Sequence, residues 1–440
     1  MSSASSSSSS TAASGTTSHS GFKALPTWSG GPGTEWVNGE TRLIKDNSSQ
    51  GSGEIFGFVW SDSSTNLYLL TSADNGQTWT NVGSKSLSAY HVIAITQDST
   101  SKVHAISWAT ISDSGYYLRM SLTYSGGKIS GYTLDTPSGI ALPNHSRKGN
   151  ELRADIKMVK DFNNNETVVY AVNMPIKSCS PVCDIQVYMG KGTSLTPTSS
   201  SQLVSLSGAA GDTNVFDSCN YSACSTFGFS THVHTALFAQ NQTSRDLYLF
   251  QGPIDGDYGL AYSTASFNTL YSTRLPSNSS GWTVGATTTI SANVQNNVTP
   301  ELMSVSSGTN YAWVMYVDPK NGVKFGRYDS SGVYDESSIT SPDTTVNRNG
   351  WGVFSVSADD RKIWAIWDTL APISGGSAVA YEGYWNGSSW TKYSDSGASD
   401  SMGMAGIAGW TNGTAAILFN GNVLAQSYKQ PTAASIWTVQ

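Results

Sequence analysis

Charged and imidazole side chains are scarce in this 440-residue chain, and they are unevenly spread. From Asn144 to Lys157 it reads Asn-His-Ser-Arg-Lys-Gly-Asn-Glu-Leu-Arg-Ala-Asp-Ile-Lys, setting His145, Arg147, Lys148, Arg153 and Lys157 against only Glu151 and Asp155. A net-positive stretch suits a carboxylate, because a guanidinium binds one through two parallel N–H bonds and an ammonium binds it as a point charge. Histidine titrates near neutral pH and can take up or return a proton. His232 and His234 alternate by two and so fall on one face of a strand, while His91 and His104 lie in two further apolar runs. His145, His232 or His234 as base, with Arg147 or Arg153 facing a carboxylate, would support removal of the proton beside that carboxylate. Lys148, Arg274 and Arg327 are candidate substrate contacts. Against this stands a plainer role for each: an exposed ion pair worth under about 1 kcal/mol, or a histidine satisfied inside the fold. His232-Val-His234 has no identifiable acidic partner, so no metal is expected, and no cofactor motif is present.

Those residues must be positioned by a largely neutral scaffold. Only 12% of residues are charged, half the roughly 25% usual in soluble domains, which excludes a coiled coil. A net charge of −7 offers no general attraction to nucleic acid. With 38% hydrophobic residues, including 14 Trp, 21 Tyr and 13 Phe, there is enough apolar surface to fold most of the chain. The best apolar runs, such as Ile55 to Trp60 and Ala415 to Phe419, are strand length, far short of the about 20 residues that cross a bilayer, so no transmembrane segment is expected.

Residues 1–20 are mostly Ser, Thr, Ala and Gly, a composition that does not repay ordering, and are expected to be disordered ahead of one domain at 21–440. No basic and apolar leader follows Met1, so no secretory signal is visible in the chain. Cys179 and Cys183, and Cys219 and Cys224, form two close pairs without zinc-knuckle spacing, which favours disulfides in an oxidising compartment. Asn-X-Ser/Thr acceptors recur at Asn47, Asn144, Asn165, Asn220, Asn241, Asn278, Asn297, Asn386 and Asn412. Cysteines and acceptors together point to an extracellular or cell-surface protein.

The chain also repeats itself. Apolar, aromatic strands recur at 56–60, 103–108, 168–172, 233–238, 311–316, 363–367 and 415–419, most followed by a polar turn, a further strand and a tight Gly turn ending in an aromatic. His91 to Ile95 and Val353 to Val356 are candidate inner strands before two of these runs. No stretch keeps a 3.6-residue period, so little helix is expected. The pattern predicts an all-β propeller of four-stranded antiparallel blades. Seven blades are favoured, and six follow if Val168 or Ala415 belongs to a neighbouring sheet. Ring closure is expected through an end segment such as Glu40 to Lys45 or Ile436 to Val439, pairing with the opposite terminus to hide exposed edges. Trp60, Trp108, Trp313, Trp364 and Trp367 are expected between blades more than on sugars.

Ser72-Ala-Asp-Asn-Gly-Gln-Thr-Trp79 matches the Ser-X-Asp-X-Gly-X-Thr-Trp pattern of the Asp-box hairpin. There Asp74 bonds its own turn, Gly76 takes a positive φ and Trp79 packs beneath, so Ser72, Asp74, Gly76 and Trp79 are structural. On this motif the chain resembles the sialidase-like (BNR/Asp-box) β-propeller superfamily, over the repeats from about Phe56 to the C-terminus. The resemblance implies a carbohydrate-active protein. Its sialidase members use three Arg, a Tyr/Glu pair and an acidic Asp, and usually carry the first Arg in a Phe/Tyr-Arg-Ile-Pro motif. Here Thr41-Arg-Leu-Ile44 lacks the Pro and Thr273-Arg-Leu-Pro276 lies much later. The expected function is therefore cleavage of a terminal or acidic sugar in a glycan or polysaccharide, by hydrolysis or uronate-type elimination, by a monomer. The alternative is a non-catalytic lectin or adhesin, or a structural cell-surface glycoprotein.

Overall fold

The computed structural model describes residues 19–24, 43–61, 66–74, 78–87, 90–109, 114–135, 140–146, 153–173, 186–189, 234–253, 269–292, 301–318, 321–344, 352–357, 359–369, 379–395, 402–411, 414–421 and 434–439. After β1 (His19–Ala24), the first sheet is β2 (Leu43–Lys45), β3 (Ile55–Ser61), β4 (Asn66–Ser72) and β5 (Thr80–Ser86). The second holds β6 (Tyr90–Gln97), β7 (Lys102–Ala109) and the long β8 (Ser114–Ser125), with which both β9 (Lys128–Leu134) and β10 (Ile140–Ser146) pair. The third is β11 (Arg153–Lys160), β12 (Glu166–Asn173) and β13 (Gln186–Met189). The fourth is β14 (His234–Gln240), β15 (Leu247–Pro253), β16 (Thr269–Leu275) and β19 (Thr287–Ala292), with β17 (Ser277–Asn278) and β18 (Gly281–Trp282) as a ribbon before β19. The fifth is β20 (Glu301–Ser307), β21 (Ala312–Asp318), β22 (Gly322–Tyr328) and β23 (Tyr334–Asp335), and the sixth β24 (Gly352–Val356), β25 (Ile363–Thr369), β26 (Val379–Trp385) and β27 (Trp390–Asp395). β28 (Met402–Thr411), β29 (Thr414–Gly421) and β30 (Ala434–Val439) make the last, which β1 completes.

Every pairing within these sheets for which a register is given is antiparallel, and no helix occurs among the described residues. The first strands β2, β6, β11, β14, β20, β24 and β28 adjoin one another in turn, and β28 returns to β2. Antiparallel sheets set face to face around a closed ring of first strands are a β-propeller.

Aromatic and branched side chains make the strands, and the space between sheets is where they are buried. Phe56, Phe58, Leu67 and Leu69 of the first sheet pack with Ile95, Val103, Leu118 and Met120 of the second. Tyr248 and Phe250 meet Val314, Tyr316 and Tyr328 between the fourth and fifth, and Trp313, Met315 and Phe325 meet Phe354, Ile363 and Trp367 between the fifth and sixth. Trp313, Trp364 and Trp367 are all buried. Trp60 and Trp108 fall in β3 and β7, with side chains outside the described residues.

The run 233–238 is, from His234, β14, the first strand of its sheet, and Leu247–Pro253 is the second, whereas the other six runs are second strands. Both runs are equally apolar, and the turn at Asn241 is what ranks them. Ring closure does use 436–439, but the terminal partner is β1, with Lys23 opposite Ile436 and Ala24 opposite Ser435. Leu43–Lys45 instead opens the first sheet. β1 begins at His19, inside the Ser/Thr-rich tract, and residues 1–18 lie outside the described residues. No helix of the described residues is long and apolar enough to cross a membrane.

Candidate functional site

Each first strand begins at one end of the ring, here the leading end, and turns into the second strand at the other, the turn end. The turn end is held by acids and amides that serve the backbone. Asp98 accepts the Thr100 and Lys102 amides at 2.9 Å each, and Asp161 accepts those of Asn163 and Asn165 at 2.9 and 2.8 Å. A short side chain that captures amides of its own turn fixes that turn. Burial pushes the Asp98 carboxyl up, but bonds from His104, Lys102 and Thr100 outweigh it and leave its pKa below the ordinary value.

Neighbouring sheets are also joined there. Gln97 Nε2 donates to Asp46 at 2.7 Å, Gln240 Nε2 to the Lys160 carbonyl at 2.7 Å, and Asn241 Nδ2 to the Asn310 carbonyl at 2.6 Å. Asp360, buried, accepts the Asn310 amide at 2.6 Å and Trp313 Nε1 at 2.9 Å.

Two candidate substrate arginines belong to this framework. Arg274 on β16 donates to Asp246 at 2.6 and 2.9 Å and to the Ser331 carbonyl at 3.1 Å. It lies against Gly332, where φ is +87° and a Cβ would come within 2.2 Å of the guanidinium. Arg327 on β22 pairs with Asp335 at 3.1 Å and stacks over Tyr311 at 4.2 Å and Trp313 at 5.1 Å. Both sit on third strands, two strands out from the ring. In the Ser72–Trp79 hairpin, Asp74 accepts Ser72 Oγ at 2.9 Å, the Thr78 amide at 2.7 Å and Thr78 Oγ1 at 2.6 Å, and Trp79 is buried. Gly76 lies outside the described residues. His104 is fully buried, its ring nitrogens 2.5 Å from the Tyr117 hydroxyl and 3.3 Å from Asp98, which is a histidine satisfied inside the fold.

The leading end differs. Four consecutive first strands begin there with titratable residues: β6 with Tyr90-His91, β11 with Arg153, β14 with His234 and β20 with Glu301. The other three begin with Leu43, Gly352 and Met402. The opening residues are thus polar over one arc of the ring and apolar or small over the rest. Two residues beyond Arg153 in β11, Asp155 is fully buried. Its Oδ2 accepts the Phe238 amide of β14 at 2.8 Å, and Lys157 Nζ lies 3.3 Å from Oδ1. Burial pushes the Asp155 carboxyl above its ordinary pKa, against the opposing pull of Lys157 and the backbone amides.

Of the catalytic candidates, the fold brings Arg153 and His234 to the starts of adjoining strands. His145 lies in β10, at the outer edge of the second sheet, paired through β8 rather than with the ring. Arg147, Lys148, His232, Cys179, Cys183, Cys219 and Cys224 lie outside the described residues. Glu301 was not among the sequence candidates. Aligning the repeats on their first strands instead of their second would have put Arg153, His234 and Glu301 at one position. Among the described residues no group of three or more His, Cys, Asp or Glu is placed to hold a metal ion.

No protein-family model matches the chain, and no curated protein matches it. Among solved structures it is similar to YCF48 from Cyanidioschyzon merolae, at 13% identity over 94% of this chain and 98% of that one, with a TM-score of 0.39. It is similar to the BP39L lectin from Burkholderia pseudomallei at 13% identity over 80% and 81% of the two chains, with a TM-score of 0.45. A third likeness is to the WD40 domain of SCAP from fission yeast, at 10% identity over 95% and 94%, with a TM-score of 0.39.

Proposed function

We propose that the protein is an extracellular, seven-bladed, sialidase-like propeller, acting as a monomer, that binds an acidic sugar of a glycan or polysaccharide at the leading end of its ring and cleaves it. The observation that carries this reading is the placement of Arg153, His234 and Glu301 at the starts of three adjoining first strands. Arg153 would neutralise the sugar carboxylate through paired N–H bonds. His234 would take the proton beside that carboxylate, and Glu301 would deliver one to the departing glycosidic oxygen. In that sequence the C–H bond breaks, a C=C bond forms and the C–O bond to the next sugar breaks, so no outside reactant is needed. Hydrolysis on the same residues would consume one water.

A lectin built from repeated pockets would carry like residues at each blade. Here the four polar starts, Tyr90-His91, Arg153, His234 and Glu301, are not one repeated residue and are confined to one arc, which favours a single asymmetric site. A glycan array run beside reducing-end and unsaturated-uronate assays on acidic polysaccharides tests the reading. Cleavage or elimination that Arg153→Ala and His234→Ala each abolish supports it. Binding without cleavage moves the protein to the lectin class, and activity indifferent to both substitutions overturns the proposed site.

A further inference from the structure

The Asn-X-Ser/Thr acceptors take on different meanings once their surroundings are known. Asn47 stands exposed in the turn from β2 to β3, Asn165 exposed in the turn from β11 to β12, and Asn386 exposed in the turn from β26 to β27. Asn278 is half-buried in the ribbon between β16 and β19. All four lie at the turn end, because the first-to-second and third-to-fourth connections of an antiparallel sheet share one end. Asn412 falls between β28 and β29, a connection of the same kind, outside the described residues.

Asn241 matches the same pattern yet is fully buried. Its Oδ1 accepts the Thr243 and Ser244 amides at 3.0 Å each, and its Nδ2 donates to the Asn310 carbonyl of the next sheet. A sugar on that nitrogen would displace a bond between the fourth and fifth sheets and has no room to leave.

We propose that the turn end is a modified face, carrying N-linked glycans at Asn47, Asn165 and Asn386, with Asn278 a partly shielded fourth acceptor and Asn241 excluded. The inference rests on the extracellular part of the proposed function and not on its chemistry. The donor is an oligosaccharide joined to a lipid diphosphate. The asparagine amide nitrogen forms a bond to the anomeric carbon, the bond from that carbon to the diphosphate oxygen breaks, the lipid diphosphate leaves and the amide proton passes to the transferase. Since transfer precedes folding, a chain modified at Asn241 fails to close its fourth and fifth sheets and is retained, so the secreted protein is bare there.

The test is to secrete the full chain from eukaryotic cells behind a supplied signal and read each acceptor by mass spectrometry after enzymatic deglycosylation in heavy-oxygen water, which labels every asparagine that bore a glycan. Label at Asn47, Asn165 and Asn386 with none at Asn241 is expected. Each of Asn47→Gln, Asn165→Gln and Asn386→Gln should remove one glycan's worth of mass without lowering secretion, whereas Asn241→Gln should lower secretion severalfold and remove no glycan. Bare Asn47, Asn165 and Asn386, or a labelled Asn241 in the secreted protein, overturns the proposal. Because the signal is supplied, this outcome is separate from where the protein resides naturally. Fractionating cells of its own source tests that: a cytosolic, unglycosylated chain there overturns the extracellular reading and the natural modification together.

Discussion

The two ends of the ring use their polar residues differently. At the turn end, Asp98, Asp161, Asn241 and Asp360 are engaged with backbone amides or with the adjoining sheet, and Arg274 and Arg327 are held by Asp246 and Asp335. At the leading end, residues of differing chemistry open adjoining strands, and Asp155, two residues into β11, is buried with its pKa raised. Charge in so neutral a chain is therefore not a sufficient guide to function: a cation beside a turn carboxylate, as Arg274 and Arg327 are, is part of the framework.

The sharpest break of this contrast is Trp313→Ala. It empties a fully buried site, frees Asp360 from its indole partner and removes a ring from under Arg327, so it should cost about 3–5 kcal/mol in urea unfolding. The fraction that stays folded should bind its glycan normally, and a loss of affinity there would mean that the two ends are coupled. Arg153→Ala should do the reverse, lowering affinity for an acidic glycan about 30-fold or more, since truncating one partner of a charge pair costs about 2–5 kcal/mol. Its unfolding midpoint should stay unchanged.

Asp155→Asn sharpens the comparison through pH. Asparagine can still accept the Phe238 amide but has no charge to bury. Because the folded pKa of Asp155 is raised, the wild-type protein loses stability as pH rises from the unfolded value, about 3.9, through the folded one. The variant should therefore gain on the wild type between acid and neutral pH, and a difference flat with pH would contradict the assignment. Asp335 runs the other way. Burial raises its pKa, but bonds from Ser338, Ser337 and Arg327 bring it down to about 2, so its contribution is present above the unfolded value and lost as pH falls towards 2. Asp335→Asn should flatten the acid limb of a pH–stability curve. Asp74→Ala should have the smallest effect, about 1 kcal/mol from lost turn bonds, with no change in ligand affinity.

Much of the scaffold was legible because its signals are local. Alternating aromatic and branched residues mark strands, and Asp followed by small residues marks turns such as that at Asp329. The closing strand was hidden: His19–Ala24 adjoins a Ser-rich tract, and what makes it a strand is pairing with Ala434–Val439 at the far end of the chain. First and second strands are buried alike, so sequence alone does not rank 233–238 within its sheet.

From the sequence alone follow the all-β class, the repeat, the turn role of Asp74, and the kinds of residue that could meet an acidic sugar. Only the tertiary structure decided that Arg274 and Arg327 are held in ion pairs, that Asn241 is buried while Asn47 is exposed, and that Arg153, His234 and Glu301 open neighbouring strands. The reason is physical: turns and alternation are set by bonds between residues close in the chain, whereas a ring of first strands brings together residues that no local pattern relates.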